Sequence, residues 1–278
     1  MKKIFLFSVL AFSLCVSSSA QPQVPQYVDF GGDRIYLDKQ EYCERMDREL
    51  IAFTYTHSSS TLMLKRSTRY FAQIEPILRE QGVPDDLKYL CVIESNLEPK
   101  AVSVAGAAGL WQFTKATAQS YGLEVSDEVD ERYNLGKVTV AACAFLKKAY
   151  AKYGDWMTAA ASYNAGMGGI SAKLEDQRVD SAMDLWMAEE TSRYMYRLLA
   201  CKMLFERPSD FGFDVPLEDR YPYEPPTKTV VVTGPIPSLV DFAEKHGVTY
   251  ASLKRANLWL RSDRLTNKAG KKYEILIP

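Results

Sequence analysis

Across residues 38–205 the apolar positions recur at helical spacing, and the period-2 alternation of strands is nearly absent. That pattern confines this stretch to a helical domain. Tyr42, Arg45-Met46, Glu49-Leu50 and Phe53 mark a first helix over about 38–50. A second helix is expected over 62–80 despite Pro76, and a third opens at Pro84-Asp85-Asp86, where Pro and acidic residues suit a first turn, and runs to Glu94. Helices are expected again at 114–121, 135–152, 156–163, 169–174 and 190–205. The Pro/Gln-rich stretch 21–32 reads as an extended arm. Residues 208–226, with Tyr221-Pro222-Tyr223-Glu224-Pro225-Pro226, form a semi-rigid connector. Beyond it the pattern becomes strand (229–233), helix (239–246), helix (250–256), strand (272–277). The fold class is therefore mainly α, with a small βααβ domain after the helical one.

At 278 residues the chain holds one mid-sized domain plus a small one. The expected division is 1–20 a signal peptide, 21–80 an arm and helices packing on the main domain, 81–207 the main domain, 208–227 the linker and 228–278 the βααβ domain. Lys2-Lys3, the apolar residues 4–16 and Ser18-Ser19-Ala20 read as an export signal cleaved near Ala20. Lipidation at Cys15 is the alternative, but Leu14 fits poorly before a lipidated Cys. Without the signal, 32 basic residues face 35 acidic ones. That balance gives no reason to expect nucleic acid or a polybasic membrane patch. No later segment approaches the ~20 apolar residues of a membrane span. The protein is expected in the periplasm or cell envelope, as a monomer. Cys43, Cys91, Cys143 and Cys201 lack zinc-like spacing, so no metal and no cofactor are expected, and they read mostly as free buried thiols.

Glu94 ends the apolar run Leu87-Lys88-Tyr89-Leu90-Cys91-Val92-Ile93. If that run is buried, desolvation disfavours the carboxylate and raises its pKa, which suits a general acid. Taken alone, Glu94 reads first as a helix end pointing into water. The blocks that follow change this: Ser103, Gly106-Ala107-Ala108-Gly109-Leu110-Trp111-Gln112-Phe113, Ala160-Ala161-Ser162-Tyr163-Asn164-Ala165-Gly166 and Glu190-Thr191-Ser192-Arg193-Tyr194. With Glu94-Ser95 at their head these make five blocks, and in this order they resemble the soluble-lytic-transglycosylase family with its goose-lysozyme-like fold, and within it the membrane-bound lytic transglycosylase D branch. The βααβ segment resembles a LysM module through Ser238-Leu239, Phe242-Ala243, Gly247-Val248, Leu253, Asn257-Leu258 and 273–278. The turn that LysM modules use to grip N-acetylglucosamine departs here to Gly234-Pro235-Ile236-Pro237.

The resemblance implies a lysozyme-like helical catalytic domain acting on peptidoglycan glycan strands. Glu94 would protonate the glycosidic oxygen between N-acetylmuramic acid and N-acetylglucosamine. As a carboxylate it would then take the proton of the muramic C6 hydroxyl, giving a 1,6-anhydro end. Ser103 would orient Glu94, or simply satisfy local backbone. Gln112 would donate its amide to the sugar, or sit solvated at a helix start. Trp111 and Phe113 would stack on sugar or pack in the core. Tyr163 would place its hydroxyl near Glu94, with Asn164 beside the substrate. Glu190 would bind substrate, or pair with Arg193 at i+3, with Glu189 the competing assignment. Tyr194 would line the cleft or pack. The rival readings are a hydrolytic muramidase and a non-catalytic wall-binding protein. Only His57 and His246 occur, neither beside a Ser or Cys nucleophile motif, so a triad is poorly supported.

Overall fold

The computed structural model describes residues 21–278; the expected signal peptide and Cys15 lie outside them. The helical region runs α1 (Gln40–Tyr55), α2 (His57–Gln81), α3 (Lys88–Ser95), α4 (Lys115–Ser120), α5 (Leu135–Tyr153), α6 (Trp156–Ala165), α7 (Met167–Gln177) and α8 (Glu189–Glu206). Each expected helix is present. Three begin earlier than expected, α2 at His57, α7 at Met167 and α8 at Glu189.

The N-terminal arm is a correction. Tyr27–Phe30 (β1) and Asp33–Tyr36 (β2) pair antiparallel, joined by Gly31-Gly32. Val28 and Phe30 point inward while Tyr27 and Asp29 face out, so a period-2 signal was present over four residues. A Cβ on Gly31 would lie 2.8 Å from Trp156 Cβ, so the turn seats against α6.

Helix ends follow local chemistry. Asp155 caps α6 by accepting from the Met157 and Thr158 amides, and Asn134 caps α5 by accepting from Lys137. Gly82 ends α2 in the left-handed conformation at φ 67°. Pro76 sits inside α2 and cannot donate to the Ala72 carbonyl, but Ala72 is exposed, so water can satisfy that oxygen.

α3 lies in the middle of the core, packed between α2 and α8. Leu90, Cys91 and Val92 are fully buried, and Tyr89 nearly so. Four buried apolar side chains at about 1.5–3 kcal/mol each hold this short helix in place. Beyond its end, Asn96 (φ 52°) and Leu97 (φ 54°) are both left-handed. Such residues cost about 1–2 kcal/mol each. Leu97 is fully buried, and the Arg66 guanidinium donates to the Asn96 carbonyl at 3.0 Å, which offsets the cost. The reversal leaves Glu94 at the last turn of a helix anchored on all other sides.

The C-terminal module is β3 (Lys228–Val232), α9 (Leu239–Lys245), α10 (Tyr250–Ala256) and β4 (Tyr273–Ile277), with β3 and β4 antiparallel. Its core of Leu239, Ala243, Leu253, Leu260, Ile275 and Ile277 also takes in Val129 from the helical region. Around Val129 the segment 124–131 is stitched to the module. The Asp130 amide donates to the Trp259 carbonyl, Arg261 donates to the Glu128 carbonyl, and Glu124 accepts from both Lys271 and Tyr273 at 2.8 Å. Cys43, Cys91, Cys143 and Cys201 are unpaired; Cys43 is half-buried and the others are buried.

Candidate active site

Glu94 lines a pocket of about 220 Å³ together with Ile93, Asn164, Glu190, Arg193, Tyr194 and Arg197. Three elements build it: the C-terminus of α3, the C-terminus of α6 through Asn164, and the first two turns of α8. On α8, Glu190, Tyr194 and Arg197 stand at i, i+4 and i+7, so one helix face presents a carboxylate, a phenol and a guanidinium together.

The Tyr194 hydroxyl donates to Glu94 Oε1 at 2.6 Å. Tyr194 is itself buried, and its phenol is held well above its ordinary pKa, first by burial and then by the Glu94 charge. It therefore stays a donor. Burial pushes the Glu94 carboxyl up to about 7, and the Glu190 charge adds to this; the Tyr194 hydroxyl and Arg197 pull it back. Near neutral pH the group thus exists in both protonation states, as a proton-transfer catalyst needs.

Tyr163 donates its hydroxyl to the Trp111 carbonyl at 2.7 Å, and its ring stacks on Phe113 and meets Phe145 edge-on. Its role near Glu94 is thus to fasten the 101–113 loop against α6. Trp111 is fully buried with its indole N–H on Thr139, and Phe113 is buried, so neither offers a face to sugar.

Two expectations are corrected. Ser103 is exposed, accepts from the Ala107 amide at 3.1 Å, and has no hydrogen bond to Glu94. Gln112 spends its amide on the Ala101 and Gly109 carbonyls at 3.1 and 2.7 Å, bracing the loop from a left-handed backbone (φ 48°) rather than reaching outward. Gly109 is required in that loop: at φ 75°, a Cβ would meet the Arg132 carbonyl oxygen at 2.3 Å.

The competition between Glu189 and Glu190 resolves by helix rotation. Glu189 pairs with Arg48 on α1, while Glu190 faces the pocket. Arg193 pairs with the buried Glu49 at 2.6 Å, not with Glu190. Arg193 and Arg197 were missed as site residues. The i+3 and i+7 spacing from Glu190 was the available signal, but it carries meaning only once α8 is known to face Glu94. Among the described residues no cluster of His, Cys, Asp and Glu could hold a metal ion.

Residues 72–183 match the family described as "Transglycosylase SLT domain", and residues 228–278 match "Soluble lytic transglycosylase C-terminal LysM-like domain". The chain pairs a transglycosylase SLT domain with a LysM-like domain. The SLT match includes Glu94, Ser103, Gln112, Tyr163 and Asn164, and ends before α8 brings in Glu190 and Tyr194. A curated relative, "Membrane-bound lytic murein transglycosylase D" of Escherichia coli, is 25% identical over 251 residues, covering 88% of this chain and 52% of the relative. The chain thus spans about half the length of that relative. "Peptidoglycan transglycosylase gp16" of Escherichia phage T7 is 36% identical over 118 residues, 41% of this chain and 9% of the relative. Among solved structures, a soluble lytic transglycosylase of Pseudomonas aeruginosa is similar at 21% identity and TM-score 0.42, over 55% of this chain and 26% of that one. The 70 kDa soluble lytic transglycosylase of Escherichia coli is similar at 15% identity and TM-score 0.44, over 64% of this chain and 33% of that one. No helix among the described residues is long and apolar enough to cross a membrane.

Proposed function

We propose that the protein is an exported lytic transglycosylase of peptidoglycan, with Glu94 as the one residue that gives and takes the proton. The observation that carries this reading is the Glu94 carboxyl, pushed up to about 7 and held by Tyr194 in the wall of a small polar pocket. Protonated Glu94 gives its proton to the oxygen between N-acetylmuramic acid and N-acetylglucosamine as the C1–O bond breaks. The resulting oxocarbenium-like or oxazolinium carbon is attacked by the muramic C6 hydroxyl, whose proton passes to the Glu94 carboxylate. Glu94 ends the cycle protonated, no water is consumed, and the product carries a 1,6-anhydro ring.

The neighbours take roles consistent with their placement. Tyr194 is a positioning residue that fixes the carboxyl and eases its ionised state. Arg197 supports the same state through space, so the two together keep Glu94 from remaining a permanent acid. Asn164 offers an amide at the pocket wall without adding charge. Gln112, Tyr163 and Ser103 act one step back, by holding the 101–113 loop. Because Tyr194 contacts Glu94, α8 belongs to the catalytic unit, which we place at 81–207 with 21–80 packed on it and the LysM-like domain at 228–278. The protein is assigned to the periplasm or envelope.

One observation favours a second reading. Glu190 puts another carboxylate in the same pocket, and a pair of carboxylates can run hydrolysis with water as acceptor. Mass analysis of digested sacculi separates the two: 1,6-anhydromuramic ends are expected, and reducing ends in their place overturn the transglycosylase reading in favour of a muramidase.

A further inference from the structure

A second concavity, of about 600 Å³, lies between the LysM-like domain and the SLT domain and shares no lining residue with the Glu94 pocket. Its size is that of a ligand site rather than a packing defect. The charge on its walls is mainly positive. Arg69 on α2, Lys100 after α3 and Arg255 on α10 all line it and are exposed. None of the three has a carboxylate partner among the described residues. Arg132 also lines the groove, but its guanidinium is committed to Asp130 and to the Gly106 carbonyl. Glu224 is the one acidic side chain on the wall.

Three uncompensated cations converge from three separate parts of the chain. Tyr133 and Tyr223 line the groove between them and supply flat, partly apolar surface. The connector, through Pro222 and Pro226, closes one side and stiffens it. The Arg69 Nε donates to the Pro222 carbonyl at 3.2 Å, which fixes this guanidinium at the wall. The domains themselves are held together by the Val129 insertion and the Glu124 and Glu128 contacts, so the groove has a set width.

We infer that this groove is a binding site for a short peptide carrying two or more free carboxylates. The charge of the walls selects the carboxylates, and the tyrosines with the prolines cover the peptide's apolar parts. With peptidoglycan as substrate, that peptide is the stem carried on the glycan strand; this identity, and not the anion preference, rests on the reading above. The groove would then hold a stem while an adjoining stretch of glycan lies in the Glu94 pocket.

The test is titration calorimetry of the full chain with a synthetic stem tetrapeptide bearing two free carboxylates, against the same peptide amidated at both. Saturable binding that weakens at least tenfold on amidation, and that weakens as the salt concentration rises, is expected. The double variant Lys100→Gln/Arg255→Gln should lose at least tenfold in affinity with unchanged circular dichroism, while Glu94→Gln binds as the natural chain does. Absence of saturable binding, equal affinity for the amidated peptide, or a double variant that binds normally overturns the inference. The amidated comparison stands on the natural chain alone should the double variant fold poorly. Peptide binding without anhydro products would sink the catalytic reading and leave the groove; anhydro products without peptide binding would do the reverse.

Discussion

Replacing Glu94 by Gln should abolish activity and, above neutral pH, make the protein more stable. In the unfolded chain a Glu carboxyl titrates at its ordinary value of 4.5, and in the fold Glu94 is raised to about 7. The folded state therefore holds this proton more tightly than the unfolded state. Its contribution is fully present below about pH 4.5 and is lost as pH rises through about 7. A displacement of that size, at 1.36 kcal/mol per pH unit, corresponds to about 3 kcal/mol. Gln keeps the shape and still accepts the Tyr194 hydroxyl but cannot ionise, so the variant escapes the loss. Relative to the natural protein it should gain about 3 kcal/mol between pH 4.5 and pH 8, or about 5 °C in Tm for a chain of this size. Thermal unfolding of both proteins, followed by circular dichroism at pH 4.5 and pH 8, reads the difference directly and cancels the titrating groups that do not interact with Glu94. Lysis of sacculi should fall about a thousandfold. A Tm difference that does not change with pH would refute the burial of Glu94 as the source of its raised pKa.

Two further changes probe the same machinery. Tyr194→Phe removes the donor to Glu94 Oε1; charge-assisted hydrogen bonds are worth about 1.5–3 kcal/mol against about 1 for neutral ones. The alkaline limb of the pH–lysis profile should therefore move up by about one pH unit, and a limb that stays put or moves down contradicts the assigned hydrogen bond. Gly109→Ala should destabilise by about 3 kcal/mol or more, from a left-handed Ala and the collision with the Arg132 carbonyl, seen as a lower urea midpoint. An unchanged midpoint would show that the 101–113 loop relaxes freely.

Helices such as α1 and α2 were readable because each buries one face, whereas α3 and α6 are buried almost all round and read as short apolar runs instead. The β1–β2 hairpin was not recognised. Only Val28, Phe30 and the half-buried Ile35 carry its inward face, and the Pro/Gln-rich residues just before it suggested an unpaired arm. In the site, Glu94 alone read as a helix end pointing into water, and it stood out only through the ordered blocks that follow it. Ser103 and Gln112 were found as positions, but their roles depend on where side chains point within an irregular loop, which periodicity does not encode. Arg197 is the converse: its type and spacing were visible, but its significance arises only from the packing of α8 against α3.

Val129 changes what the LysM-like domain is. A core that takes one of its buried residues from the neighbouring domain has no clean edge at residue 228. Cutting the chain there would remove Val129 from that core and from its pairing with Leu260, so the module's stability is partly on loan from the segment that binds it. The link between the two domains is therefore an interlocked joint rather than a tether. The reach of the module is set by that joint and not by the length of the Pro-rich connector, which makes it a fixed wall beside the helical domain and not a hand on a flexible arm.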